Sequence, residues 1–303
     1  MLAIIIPYFK INFFEKTLES LAQQTDKRFQ VYIGDDASPV PPIELLEKYQ
    51  GKFNFTYKKF NDNLGSISLV KQWERCIAMM QEEEWFMILG DDDVLGDNVV
   101  EAFYGNLSKI EQTSHVVRFS SVLINEKDEC ISKVYQHPQL ENAIESYIKK
   151  LNGVGRGSLS EYIFRKESYN KFGFKNYALA WSTDDRAVID FTDNTEVFSL
   201  NGALVSVRMS PLNISSNSND KNLKQKAILD STRELIFDHK VNMSKEQLKY
   251  FIQIYEHQIF YNNIATSKDY LNIIFLFLFF MPLNSKLYIF KTITARILNI
   301  YKE

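Results

Sequence analysis

The chain has 303 residues, 45% of them apolar and 24% charged, with a formal net charge of −3 at pH 7. That length suits one large domain with an appendage or two smaller ones, and the balance is that of an ordinary folded soluble protein. The slight acidic excess gives no electrostatic case for nucleic acid, and Cys76 and Cys130, two cysteines far apart, exclude a disulfide framework or a zinc knuckle.

In chain order, the opening MLAIIIPYF is apolar but lacks a basic leader and a small-residue cleavage site. A first strand over 2–6 is expected there rather than a signal peptide. Together with the cysteine usage this points to a reducing cytoplasm. Helical spacing follows over 13–21, a second strand over 29–33, a short helix over 43–49 behind a proline-rich turn, and a third strand over 53–57. A helix is expected over 66–80, a strand over 85–89 and a helix over 99–110. Strand and helix alternating at this spacing argue for a parallel α/β sheet. Ligands bind such sheets outside the carboxyl ends of the strands. The segments after Pro7, at GDDAS and at GDDD all fall at such ends, so they are expected to face one crevice.

Further on, two strands are expected over 115–124 and 130–135, a helix over 143–151, the glycine-rich loop GVGRGS, and a short strand over 161–164. A helix over 182–191 precedes either a strand pair or one long strand over 197–207. The polar stretch NISSNSNDKN at 213–222 is the linker candidate, dividing a domain 1–215 from a helical region 216–303. Helices are expected over 223–238 and 245–265 and from 270 onward. The apolar run at 273–283 would span about 16 Å as a helix, against about 30 Å of bilayer hydrocarbon. It is too short to cross. With Ile289, Ile293, Ile297 and Ile300 at helical spacing among Lys286, Lys291, Arg296 and Lys302, this tail reads either as a helix lying in a membrane interface or as a hairpin packed on its own domain.

The feature that carries chemistry is the triplet Asp91, Asp92 and Asp93 at the end of the 85–89 run. Adjacent ionised carboxylates repel by about 1 kcal/mol at 4 Å in water and by about 4 kcal/mol at an effective dielectric near 20. A divalent cation such as Mg²⁺ or Mn²⁺, shared with a substrate phosphate, would turn that cost into binding. The alternative is a solvated acidic turn ahead of a helix. A second acidic pair, Asp184 and Asp185 in AWSTDDRAVIDF, is either a catalytic pair or the acidic first turn of a helix capped by Ser182 or Thr183.

Taken together and in order, IIIPYFK, FQVYIGDDAS, NLGS and WFMILGDDDVL resemble the amino-terminal half of glycosyltransferase family 2. The resemblance covers roughly residues 1–216. It implies a GT-A (Rossmann-like) α/β fold with a helical C-terminal extension, and inverting transfer from a nucleotide sugar, UDP-linked, with Mn²⁺ or Mg²⁺ as cofactor. By resemblance Pro7 and Tyr8, with Lys10 beside them, adjoin the base, Asp36 meets uracil or ribose, and Gly65 allows close backbone approach. Lys71 or Arg75 would reach the diphosphate, unless either is simply a solvated helical side chain. Asp92 would be the metal ligand, Asp91 would lie near the ribose and Asp93 would support the site, the last two being open to exchange. Gly90 stands where the family commonly has a first aspartate. Asp185, or else Asp184, matches the position of the catalytic base, Arg156 the acceptor side, and Arg208 the basic residue turned toward the diphosphate; Met209 stands where a histidine sometimes occurs. The family implies a glycan acceptor, lipid-linked, in O-antigen or capsule assembly, with the protein peripheral at the inner face of the cell membrane. Two rivals are a haloacid-dehalogenase-type phosphatase and a non-enzymatic membrane-associated scaffold. The first wants threonine or valine where Leu95 stands and places its motif on the first strand; the second predicts no nucleotide binding.

Overall fold

The apolar run at the amino terminus forms β1 (Leu2–Tyr8), buried at every position but Pro7. A strand covered on both faces needs apolar side chains throughout, which is why the sequence here is continuous rather than alternating. β2 (Phe29–Asp35) and β4 (Trp85–Ile88) flank β1 in parallel, and β3 (Asn54–Lys59) lies parallel outside β2. β3 is half-exposed and ends in Lys58 and Lys59, charge that discourages further pairing at an open edge. This computed structural model describes residues 1–193, 195–213, 220–262 and 264–300, with some side chains of the last helix excepted.

Beyond β4 the sheet becomes mixed. β8 (Tyr162–Arg165) is antiparallel to both β4 and β6 (Val116–Ile124). β6 runs parallel to β9 (Val197–Arg208), against which β5 (Val94–Leu95) and β7 (Leu140–Glu141) are antiparallel. The order is β3-β2-β1-β4-β8-β6-β9-β5. The question of a strand pair or one strand over 197–207 resolves as one strand with a bulge. Phe119 faces Leu200 but Ser120 faces Leu204, and Asn201 in the bulge exchanges hydrogen bonds with the backbone of His137. The bulge re-aims the second half of β9 toward β5 and the aspartate triplet.

Helices α1 (Phe14–Ala22), α2 (Ile43–Glu47), α3 (Leu69–Ile77) and α4 (Val99–Thr113) connect the parallel strands. α1 buries Phe14, Leu18 and Leu21 at helical spacing, and Ser68 caps α3 by accepting the amide of Lys71 at 3.2 Å. α5 (Ala143–Leu151) is capped by Asn142. α6 (Lys166–Phe172) is not evident in the sequence because KESYNKF has no apolar stripe and buries only Ser168. The strand expected over 130–135 is not formed. Two isolated bridges, Ser121 with Tyr135 and Ile124 with Cys130, are all that pair there, since most of this segment is exposed and gains little from a ladder. α7 (Thr183–Phe191) follows a turn in which Leu179, Ala180 and Ser182 have positive φ.

By contacts the chain divides into two units, Met1–Asn176 with Thr183–Asn217, and Tyr177–Ser182 with Ser218–Glu303. The linker expected at 213–222 falls mostly on 214–219, outside the described residues. The second unit holds α8 (Lys221–His239), α9 (Lys245–Tyr261), α10 (Ser267–Phe280) and α11 (Leu283–Ile300). The apolar run at 273–283 does not continue as one helix. Pro282 pushes the preceding residue out of the helical region, and Met281 is extended at φ −107 and ψ 154. Among the described residues no helix is long and apolar enough to cross a membrane.

The second unit is tied by a buried ion cluster. Asp269, fully buried, accepts from Arg233 Nη1 at 2.8 Å, Tyr255 Oη at 2.7 Å, and the amide and hydroxyl of Thr266 at 2.8 and 2.7 Å. Burial alone would raise its pKa, but the hydrogen bonds from Thr266, Tyr255 and Arg233 win and hold it at about 2. A carboxylate lowered in this way contributes stability above its unfolded pKa near 4, and that contribution is lost as pH falls toward 2. Asp269→Asn should cost the helical unit about 1–3 kcal/mol, because a buried amide cannot accept all of these hydrogen bonds, although Arg233 keeps its pairing with Asp230. Urea unfolding followed by circular dichroism at neutral pH measures this; an unchanged midpoint would contradict it.

Candidate active site

The carboxyl ends of β1, β2 and β4 bring Tyr8, Asp35 and the triplet to one side of the sheet, and the three aspartates there have different partners. Asp91 Oδ2 accepts the amides of Phe9 and Lys10 at 2.8 and 2.7 Å, pinning the loop after β1 to the end of β4. Asp93 Oδ1 accepts the amide of Arg208 at 2.8 Å and Oδ2 accepts Ser160 Oγ at 2.5 Å, pinning β9 and the turn before β8. The Asp92 carboxylate is half-buried and receives no hydrogen bond or ion pair from another described residue. Burial and then the Asp91 charge push Asp92 up to about 6, and burial and then Asp92 push Asp93 up to about 7. Crowding explains the departure at Gly90. A Cβ there would lie 2.9 Å from Asp93 Oδ2 and 3.1 Å from Asp92 Oδ1.

No three His, Cys, Asp or Glu side chains converge as a ligand set among the described residues. The donor chemistry nevertheless fits a hard divalent cation held by one carboxylate. Asp92 is the triplet member whose carboxylate accepts nothing from another described residue, and such ions take their other ligands from substrate phosphate and water. Asp93, expected to support the site, has both oxygens engaged.

Several expected nucleotide contacts are occupied within the protein. The Tyr8 ring is fully buried against Phe14 at 4.7 Å, and its hydroxyl donates to the Val40 carbonyl at 2.6 Å, so it does not present a face to a base. Pro7, in the strand beside it, is half-buried. Asp35 is a turn residue, accepting from the Ser38 amide at 2.7 Å and Tyr57 Oη at 2.6 Å. Asp36 accepts the Leu64 and Gly65 amides at 2.8 Å each and pairs with Arg75. Gly65 does provide a close approach, but to this carboxylate: a Cβ would sit 2.4 Å from Asp36 Oδ2. Arg75 is consumed by Asp36 and Asp62 and stacks on Phe60, while Lys71 stays exposed on α3. Lys10 Nζ reaches the Leu212 carbonyl at 2.6 Å, joining the β1 loop to the segment after β9.

Arg208 is engaged within the protein. It is fully buried, with Nε on the Asp92 carbonyl at 2.9 Å, Nη1 on the Asn125 carbonyl at 2.7 Å and Nη2 on Asp128 at 2.6 Å, above the Phe13 ring. Each guanidinium nitrogen donates one hydrogen bond to a group of this chain.

The second acidic pair opens α7. Asp185 Oδ1 accepts Lys150 Nζ at 2.5 Å, and Asp184 lies 4.0 Å from the same ammonium. Lys150 also donates to the Gly157 carbonyl at 2.8 Å. Burial opposes the charge on Lys150, but the carboxylates of Asp185 and Asp184 prevail and raise its pKa. A small cleft lined by Ser146, Tyr147, Lys150, Arg156, Tyr162 and Asp185 opens beside this pair. Arg156 is held there by Glu161. One short turn, Leu159–Glu161, joins the two acidic clusters: Ser160 binds Asp93 while its neighbour Glu161 binds Arg156. Neither Ser160 nor Lys150 is marked by any motif. Only the fold brings them to the aspartates.

This sheet has the GT-A arrangement of nucleotide-sugar transferases. Solved structures of S. aureus TarS share it. TarS 1–349 with UDP superposes at a TM-score of 0.63 and 14% identity over 90% of this chain and 80% of that one. The same fragment with UDP-GlcNAc gives 0.57 and 15% over 92% and 73%. A longer TarS chain is covered over 47% of its length and 90% of this one, at 14% identity and a TM-score of 0.61. No curated protein matches the sequence. Residues 3–150 match the family described as Glycosyl transferase family 2. That match, over nearly half of the chain, together with the shared fold supports a glycosyltransferase over the phosphatase and scaffold alternatives.

Because the Gly65 position is set by Asp36, Gly65→Ala should displace the loop and lose about 1–3 kcal/mol through overpacking and a strained carboxylate clamp. Thermal unfolding measures the loss; a variant as stable as the parent would show that the contact is dispensable.

Proposed function

We propose that this glycosyltransferase moves a sugar from a UDP-sugar to a hydroxyl of a glycan acceptor with inversion and with a divalent metal. The acceptor would be a lipid-linked surface glycan, O-antigen or capsule in type, met by a protein peripheral at the cytoplasmic face of the membrane. The observation that carries the donor site is the Asp92 carboxylate, free at the end of β4 while its two neighbours are hydrogen-bonded. The TarS structures bear UDP and UDP-GlcNAc, which supports a uridine donor for this fold.

Asp92 would hold Mn²⁺ or Mg²⁺, and the ion would offset charge on the departing nucleoside diphosphate. Asp91 and Asp93 keep the loop after β1, the end of β4 and the end of β9 in fixed register around that carboxylate. Asp185 takes the proton of the acceptor hydroxyl as its oxygen attacks the anomeric carbon. The new C–O bond forms on the face opposite the one from which the diphosphate oxygen leaves, and the configuration inverts. Lys150 orients Asp185 and favours its ionised form. Asp184, farther from Lys150, is the alternative base.

Calorimetry with UDP and Mn²⁺ tests the donor site. Asp92→Ala should abolish metal-dependent UDP binding, and undiminished heat would refute the assignment. Asp185→Asn should keep UDP affinity and lose about 10²–10⁴-fold in transfer; retained turnover would move the base to Asp184. Burial raises Asp185 to about 6, against the opposing pull of Lys150. A base must be unprotonated, so kcat/KM should rise with pH through about 6. In Lys150→Met, removal of the cation should move that midpoint upward, and an unshifted acid limb would separate Lys150 from the chemistry.

A further inference from the structure

α10 has two unlike faces. Ile273, Leu276 and Phe277 are buried in the helical unit, whereas Leu271, Phe275, Leu278 and Phe279 face solvent at spacings of three, four and eight. Beyond the break at Pro282 the exposed series continues with Leu283 and Leu287 on α11. Leu271, Phe279 and Leu283 are 69%, 68% and 70% exposed, and large apolar side chains exposed repeatedly along one helix face mark a contact with something else.

The surrounding charge distinguishes what that something is. From 267 to 293 the lone acidic residue is Asp269, fully buried and paired with Arg233, while Lys268 and Lys291 are exposed and Lys286 is half-exposed. From 267 to the end of the sequence there are five cations against two acids, in a chain whose net charge is −3. A second copy of this chain would bring the same lysines to the same patch across a two-fold interface, with like charge opposed. An anionic bilayer instead accepts the apolar side chains below its headgroups and the lysines among them. A helix of 14 residues is about 21 Å long, too short to cross but suited to lying flat.

We infer that the exposed face of α10 and the start of α11 docks on an anionic lipid bilayer, in the plane of its headgroups. This names the surface for the membrane contact proposed above, and its test reads separately from the chemistry.

The full-length chain is floated with vesicles of phosphatidylcholine alone and of phosphatidylcholine mixed with phosphatidylglycerol. It should float with the mixed vesicles, much less with the neutral ones, and be released by high salt. The triple variant Leu271→Ser, Phe279→Ser, Leu283→Ser should lose roughly tenfold or more in vesicle binding with helicity and UDP-sugar hydrolysis unchanged. Lys286→Glu with Lys291→Glu should lose the preference for anionic vesicles. Flotation with neither vesicle, a triple variant that floats like the parent, or a concentration-dependent dimer abolished by the triple variant without vesicle binding would each overturn the inference. Vesicle binding without any UDP-dependent activity would sink the proposed chemistry and leave this surface standing.

Discussion

The structure depends on how one stretch of backbone tolerates three successive carboxylates. Ionised side this closely, in a region largely removed from water, they raise one another's pKa and oppose the compact state. The fold answers by surrounding two of them with donors. Asp91 takes two amides from the loop after β1, and Asp93 takes an amide from β9 and a hydroxyl from the turn before β8. These bonds fix three separate chain segments at one point. The remaining carboxylate, Asp92, is raised by burial and by Asp91; the Lys10 and Arg208 charges oppose this, but no other described residue donates a hydrogen bond to it. A carboxylate with unengaged acceptor capacity is therefore a product of the same packing that satisfies the rest of the triplet.

Much of the frame was legible because it follows from periodicity. A run such as LAIIIPY, apolar at every position, can only be a strand covered on both faces, and the alternation of such runs with helical spacing gave the parallel half of the sheet. The antiparallel half was less legible. The bulge in β9, the absence of a ladder over 130–135 and the polar helix α6 depend on which surfaces are covered, and that is a property of the assembled chain.

The candidate site divides in the same way. Motif position pointed to the triplet and Asp185 as candidates, but it could not distinguish a side chain aimed at a ligand from one consumed by the fold. Asp36 and Arg208 occupy the expected places and spend their polar atoms on amides, carbonyls and carboxylates of this chain. The glycines at 65 and 90 stand where a carboxylate comes too close for a Cβ. Spacing in sequence shows that such residues sit near a crevice; it carries no information on where each hydrogen bond goes.

The turn at 159–161 gives the two acidic centres a common mechanical part. Ser160 is bonded to Asp93 and to the amide of Gly90, so it reports on the position of the triplet. Glu161 holds Arg156 at the cleft where Lys150 holds Asp185. These links run through short bonds among largely buried groups, where displacement of one partner exposes an unpaired charge or an unmade hydrogen bond and is costly. Neighbouring residues of a single three-residue turn thus bind Asp93, next to the aspartate proposed to face the donor, and Arg156, which lines the cleft beside the one proposed to take the acceptor's proton. The turn therefore links the two acidic centres through one short piece of backbone, and an inverting displacement, which needs nucleophile and leaving group aligned on opposite faces of one carbon, benefits from that tie.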